Sequence, residues 1–245
     1  MEEVSYDFNN VETFNVVSDV FSQAITGELI GMSNFASLSG TIEDPYEKME
    51  AVEHADSERH HAEGFLACSK KMGLNTKVNL NGEYWKSVRE VFLKYAEKND
   101  FISCLIIQEV MLESFAVSMY TDVGNALGGF PGELFLAIAD EEKEHMEHST
   151  EILQEELQKD PEGFISKFET IHFDCMTILS QFSATQDLRG HCGVCNGECM
   201  KNSLHHIGLD SVIMRGNALN LYAEALDKIG IPGDKSMVWI AKLPA

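Results

Sequence analysis

Positive charge is scarce in this sequence. Its 245 residues carry 18 lysines and arginines against 40 aspartates and glutamates, a formal net charge of −22. Nucleic acid is bound through basic patches, so it is excluded as a partner. Adsorption to an anionic bilayer is disfavoured for the same reason. The acidic surface favours solubility and suits a basic redox partner. Proline is sparse as well, with five residues, and there is no strong strand signal. No secretory leader is expected from the opening MEEVSYDFNN, which is acidic and has no apolar core. Long hydrophobic runs are nearly absent too. The strongest, FISCLIIQEVMLESFAVSMY (101–120), is about long enough to span a bilayer, but Gln108, Glu109 and Glu113 interrupt it. It reads as a buried core helix, and no transmembrane segment is expected. Cys68 and Cys104 lie in apolar surroundings and read as reduced core thiols, which implies a cytoplasmic location.

What is present is helical periodicity. Residues 12–39 form a first helix, with Phe21, Ala24, Ile25, Met32 and Phe35 on one stripe. Asp44-Pro45 opens a second, which runs to Lys71 with Gly73 as its cap. A polar connection leads to a third helical region, about 83–122, which Asn99-Asp100 breaks or kinks. GGFPGE (128–133) reads as a turn, followed by a helix over about 132–158. Asp160-Pro161 starts another, to about 186. Residues 187–207 are an insert rich in Gly, Cys and His. A last helix covers about 209–229 and is ended by Gly230 and Pro232. The class is all-α, an antiparallel bundle with additional flanking helices.

One pattern occurs twice. A helix with a single Glu is followed about 30 residues later by a helix with Glu-x-x-His: Glu28 then Glu58 and His61, and Glu113 then Glu142 and His145. Residues three apart on a helix share a face, so Glu58 pairs with His61, whereas His60 lies about 200° from Glu58. The Glu58 stripe is otherwise apolar, with Ala55, Ala62, Phe65, Cys68 and Met72. The opposite side holds Glu53, Asp56, His60, Glu63 and Lys70. The fourth bundle helix repeats the division. Phe135, Ile138, Ala139, Glu142, His145, Ser149 and Ile152 form its core stripe, and Glu141, Glu144, His148 and Glu151 its polar one.

Four carboxylates and two imidazoles on core-facing stripes cannot stay charged and unpaired. Two divalent cations would neutralise the four carboxylates, and one Glu from each of two helices plus Glu-x-x-His from each of two others is the bundle arrangement for two irons or two manganese ions. The thiolate-free donor set does not suit structural zinc. A lone Glu-x-x-His in an acidic helix is ordinarily a solvated pair. Two of them, each preceded by a Glu on an apolar stripe, are far more specific. Glu141 with His145 and Glu144 with His148 are second choices on the polar face, and Glu109 is a candidate supporting acid beside the ligands.

The same residues carry a family resemblance. GELIGMSNF (27–35), ERHHAEGFLACSKKMGL (58–74), ISCLIIQEVMLESFAVSMY (102–120), EEKEHMEH (141–148) and LYAEALDKIGI (221–231) resemble segments of the cyanobacterial aldehyde-deformylating oxygenases, ferritin-like di-iron proteins. The resemblance covers roughly residues 12–185 and 208–240. It implies a single ferritin-like four-helix-bundle domain over residues 1–245. It also implies a reaction, in which a long-chain fatty aldehyde, O₂ and external electrons give an alkane one carbon shorter plus formate. Glu28, Glu58, His61, Glu113, Glu142 and His145 fall on the family's metal-ligand positions. The implied partners are an electron-donor protein of the ferredoxin or reductase type and an acyl-ACP reductase. An apolar tunnel should hold the acyl chain, with Met32, Phe35, Phe65, Met111, Phe115 and Tyr120 as candidate lining; ordinary core packing is the alternative for each. Phe35 stands where the family usually has a Tyr near the metals, whereas Tyr120 matches.

The insert HCGVCNGECMKNSLHH (191–206) departs most from the family. Cys192, Cys195 and Cys199 form Cys-x₂-Cys-x₃-Cys, with His191, His205 and His206 nearby. A structural zinc on Cys192, Cys195, Cys199 and His205 is the preferred version. An iron–sulfur cluster feeding electrons to the di-iron site, and reduced thiols or a redox disulfide, are the alternatives; Cys175 is a further candidate ligand. Competing functions are another ferritin-like di-iron oxygenase with a different apolar substrate, a rubrerythrin-like peroxide reductase and a ferritin-like ferroxidase.

Overall fold

Side-chain caps set the helix ends. In the computed structural model, which describes residues 10–183 and 199–244, Asn10 accepts hydrogen bonds from the backbone N–H groups of Glu12 and Thr13 and starts α1 (Val11–Leu38). Asp44 caps Tyr46 and Glu47 in the same way, with Pro45 at the first position, where a missing N–H costs nothing. The helix it opens, α2 (Pro45–Met72), closes at Gly73 with φ 70°. After α3 (Glu83–Ala96) the chain turns at Asn99, which holds φ 55°. Asp100 then caps a continuous rod of α4 (Phe101–Leu105), a π-helical stretch (Ile106–Leu112) and α5 (Glu113–Leu127). The rod is followed by α6 (Gly129–Lys159), α7 (Pro161–Ser183), the short α8 (Met200–Ser203), a 3₁₀ turn (Leu204–Ile207), α9 (Ser211–Ile229) and α10 (Gly233–Ala241).

No strand occurs among the described residues, so the all-α class holds. Three details differ from the sequence expectation. The turn before α6 is reduced to Gly128 (φ 60°), Gly129 (φ 53°) opens the helix, and Pro131 sits in its first turn. Gly230 and Pro232 end α9, but the chain resumes as α10, whose Trp239 is buried. The rod from Phe101 to Leu127 contains a π-helical stretch that a 3.6-residue period does not anticipate.

Hairpins α1–α2 and α5–α6 make up the four-helix bundle, and α2 also packs on α6. The helix α3 packs on α1 and α7, and α9 packs on α5 and α6. The apolar core divides in two. One cluster joins the end of α1 to α3, the π stretch, α7, α9 and α10, through Phe35, Phe92, Phe168 and Tyr222. The other joins the first half of α1 to α2, α5 and α6, through Phe21, Phe65, Tyr120 and Phe135. The long apolar rod is mostly buried between its neighbours, which agrees with its reading as a core helix.

The α5–α6 hairpin closes backbone to backbone. A Cβ added to Gly132 would lie 2.4 Å from the carbonyl oxygen of Gly124. In an open helix Gly→Ala is worth about 0.5–1 kcal/mol of stabilisation. Here the obstacle is main chain, which cannot rotate away, so overpacking wins. Gly132→Ala is expected to destabilise by about 1–2 kcal/mol, a fall in thermal midpoint of roughly 2–8 °C for a chain of this size. Thermal melting followed by circular dichroism checks it, and an unchanged or higher midpoint contradicts the close packing.

Candidate metal centre

Six ionisable side chains meet between the two apolar clusters. Glu28 comes from α1, Glu58 and His61 from α2, Glu113 from the start of α5, and Glu142 and His145 from α6; all are buried. They fall into two quartets, Glu28/Glu58/His61/Glu142 and Glu58/Glu113/Glu142/His145. Within each quartet the candidate ligand atoms lie within 4.8 Å of one another. Glu58 and Glu142 belong to both, whereas Glu28 and Glu113 belong to one each. The arrangement could hold two cations.

The surrounding hydrogen bonds orient these groups. Tyr120 donates its hydroxyl to Glu28 Oε1. Gln108 Nε2 donates to Glu113 Oε1 at 3.2 Å, and its own Oε1 accepts from Asn34 Nδ2 at 2.9 Å. Gln108 and Glu113 are five residues apart, which an α-helix would place on different faces; the π stretch between them brings them together. The Nδ1 of His61 faces Glu28 Oε2 at 3.2 Å and Glu142 Oε1 at 3.0 Å, while its Nε2 meets Glu141 Oε2 at 2.9 Å. Carboxylate contact at the outer nitrogen is the usual support for a metal-binding imidazole. Phe35 packs edge-on against His145, with ring centroids 5.8 Å apart.

Electrostatics favour a cationic occupant. Burial, then repulsion from Glu142, Glu28 and Glu113, holds the Glu58 carboxyl well above its ordinary range. Burial and Glu142 do the same to Glu113, and burial also raises Glu142. Burial opposes a charge on His61, yet the Glu142 and Glu28 carboxylates outweigh it and push the imidazole to about 11. Protons here occupy positions that divalent cations suit better. Glu142 Oε2 and His145 Nδ1 lie 2.9 Å apart without the alignment of a hydrogen bond, as expected of two donors turned toward a shared third atom. Carboxylate with imidazole, and no thiolate, fits iron or manganese.

A cavity opens onto the carboxylates. Glu28, Glu58, Glu113 and Glu142 all line it, whereas neither His61 nor His145 does. Its remaining wall is largely apolar, from Val20 and Ala24 on α1, Phe115, Ala116 and Met119 on α5, Met200 and Leu204 at the end of the insert, and Met214 on α9. It offers about 130 Å³ to the centres of water-sized molecules. Of the six residues expected to line a tunnel, Phe115 and Tyr120 are on its wall. Phe35 and Met111 lie in the first core cluster and Phe65 in the second, packed on Phe21, Tyr120 and Phe135. Met32 is half-buried and off the wall.

The insert is described only in part. Cys192 and Cys195 lie outside the described residues; Cys199 is half-buried ahead of α8, and His205 is exposed in the 3₁₀ turn. Cys175 is fully buried, and burial pushes its thiol up to about 12; Cys68 and Cys104, at about 11 and 12, are likewise core thiols. Sequence reasoning missed Glu141, assigned to the solvated face, and the Asn34–Gln108–Glu113 chain. It also missed Gly31, where an added Cβ would lie 2.5 Å from Glu58 Oε1.

Comparison with known proteins gives a family and a fold. The family model for long-chain fatty aldehyde decarbonylase matches residues 12–169. A solved structure described as protein 19 with aldehyde deformylating oxidase activity from Synechococcus superposes with a TM-score of 0.79. It is 19% identical, and the match covers 96% of this chain and 99% of that one, a likeness of fold.

Two predictions follow from the geometry. In Gly31→Ala the obstacle is the tip of a flexible side chain, so Glu58 can swing away. The metal-free fold should keep its thermal midpoint while Mn(II) affinity drops at least about tenfold. Calorimetric titration beside a melting curve tests this, and unchanged affinity contradicts the close approach. The second concerns pH. The metal-free form binds more protons than the loaded form, because His61 keeps its proton up to about 11 and the raised carboxyls keep theirs above their ordinary range. Raising the pH therefore favours loading, by about tenfold per unit for each proton displaced. Mn(II) affinity should climb at least that steeply between about pH 6 and 8; a flat profile contradicts the proton-filled metal-free site.

Proposed function

The chain belongs to the long-chain fatty aldehyde decarbonylase family, and we propose that it is a di-iron oxygenase. It converts a long-chain aldehyde, with O₂ and external electrons, to an alkane one carbon shorter plus formate. The observation that carries this reading is the apolar cavity ending on the carboxylates of two metal-binding quartets that share Glu58 and Glu142. Glu28, Glu58, His61, Glu113, Glu142 and His145 are the proposed iron ligands. Iron, when bound, supplies O₂ activation and Lewis-acid polarisation of the aldehyde carbonyl.

The chain's own residues set where this happens. Phe115, Ala116 and Met119 offer an apolar wall to the alkyl chain, so the polar head is the part left to face the carboxylates. The same wall excludes water, which strengthens the electrostatic interactions at that end. The Tyr120 hydroxyl and the Gln108 amide hold Glu28 and Glu113 in place by donating to one oxygen of each. Glu141 orients His61 by accepting from Nε2–H, which leaves Nδ1 directed inward. The electrons are assigned to a donor protein of the ferredoxin or reductase type and the aldehyde supply to an acyl-ACP reductase, in the cytoplasm.

Octadecanal incubated with iron-loaded, reduced protein and O₂ should give formate and heptadecane in equal amounts. Glu113→Ala removes a proposed ligand and should lower both by at least about a hundredfold. Product formation unaffected by that change, or peroxide consumption without formate in the parent protein, overturns the assignment.

A further inference from the structure

We propose that His54, Glu109 and His148 form a third cation site, a mononuclear one for a divalent first-row transition metal. None of the three belongs to either quartet. Their candidate ligand atoms also lie within 4.8 Å of one another. Glu109, on the π stretch, is buried; His54 on α2 is buried, and His148 on α6 is half-buried. Glu109 Oε1 stands 3.3 Å from His54 Nδ1, and Oε2 stands 3.5 Å from His148 Nδ1. Yet His54 Nδ1, Glu109 Oε2 and His148 Nδ1 are all buried atoms without a hydrogen-bond partner. These contacts are close enough for ion pairing but lack the alignment of hydrogen bonds, and a cation held between the three would satisfy all of them.

The outer ring nitrogens strengthen the case. His54 Nε2 lies 3.5 Å from Glu50 Oε1, and His148 Nε2 lies 3.3 Å from Glu47 Oε2. Each imidazole thus has a carboxylate behind it and a ligand atom turned toward Glu109, the orientation that supports metal-bound histidine. Two imidazoles, one carboxylate and no thiolate suit Fe(II) or Mn(II). Glu47, Glu50 and His148 are all partly exposed, so a cation has a path from solvent. Without a cation a proton can take its place, since the Glu109 carboxylate holds the His148 imidazole at about 9. The site adjoins the dinuclear quartets through His54, whose ring stacks on that of His145 with centroids 4.1 Å apart. None of its three residues lines the aldehyde cavity.

The test needs no substrate. Chelator-stripped, oxygen-free protein is titrated with Mn(II), which thiolates bind poorly, and free Mn(II) is counted by its solution EPR signal. The parent chain should take up three equivalents and His148→Ala two, while the spin-coupled signal of a Mn(II) pair persists in both. Because His148 is partly exposed its removal should spare the fold, which circular dichroism verifies; Glu109→Gln, which keeps side-chain shape, should also bind two. Uptake of only two equivalents by the parent chain, or of three by both variants, overturns the proposal. Neither result bears on aldehyde turnover, so this site and the proposed function fail independently.

Discussion

Repulsion among four buried carboxylates is the constraint around which this bundle is arranged. Glu28, Glu58, Glu113 and Glu142 are buried together, and burying even one unpaired charge is costly. The fold meets that cost from three sides. The two imidazoles come in on the same helices as Glu58 and Glu142. Tyr120 and Gln108 donate to Glu28 and Glu113, the two carboxylates that belong to one quartet each. What remains is the charge on the shared pair, Glu58 and Glu142, which two cations would neutralise.

Backbone geometry supplies the access that the ligands need. The π stretch from Ile106 to Leu112 carries Gln108 and Glu109 and leads straight into Glu113 at the start of α5, all three buried. A regular α-helix would not bring Gln108 and Glu113 to one face. The wider turn lets the amide reach its carboxylate, and it also sets Glu109 against His54 and His148. Small residues work in the opposite direction, by bringing helices closer. Gly31 lets the Glu58 carboxylate approach α1, and Gly132 lets α6 touch the backbone of α5. Widening at one place and tightening at two others fix where the carboxylates meet.

Much of this was legible in the order of residues because the ligand pattern has helical spacing. Glu58 with His61 and Glu142 with His145 are three apart, so α-helical geometry alone separates them from His60 and Glu141 on the neighbouring faces. The caps at Asp44 and Gly73 and the break at Asn99 were legible for the same reason, since each is a local backbone requirement. The π stretch was not, because one widened turn leaves the apolar pattern of Ile106, Val110 and Val117 intact. Glu141 was assigned to solvent correctly by exposure, yet its long side chain reaches back to His61. The cavity wall was the least legible part. It depends on Met200, Leu204 and Met214, which are distant in sequence and approach α1 and α5 only through tertiary packing. Aromatic residues close to the ligands in sequence, Phe35 and Phe65, proved to be core.

The centre therefore has two unlike sides. Toward the cavity it presents carboxylates, with an apolar wall beyond them; away from it lie the imidazoles, with Glu141 behind His61 and His54 stacked on His145. Carboxylates can change their mode of coordination by rotating, whereas an imidazole held from behind by an acid or a stacked ring cannot move far. The adaptable carboxylates thus face the apolar cavity, and the fixed imidazoles face the side where the protein is polar and reaches solvent. If cations are held here, the cavity side would be free to rearrange while the histidine side would keep them in register. The lone carboxylate among imidazoles at Glu109 lies on this second side, beside the partly exposed His148 and Glu47.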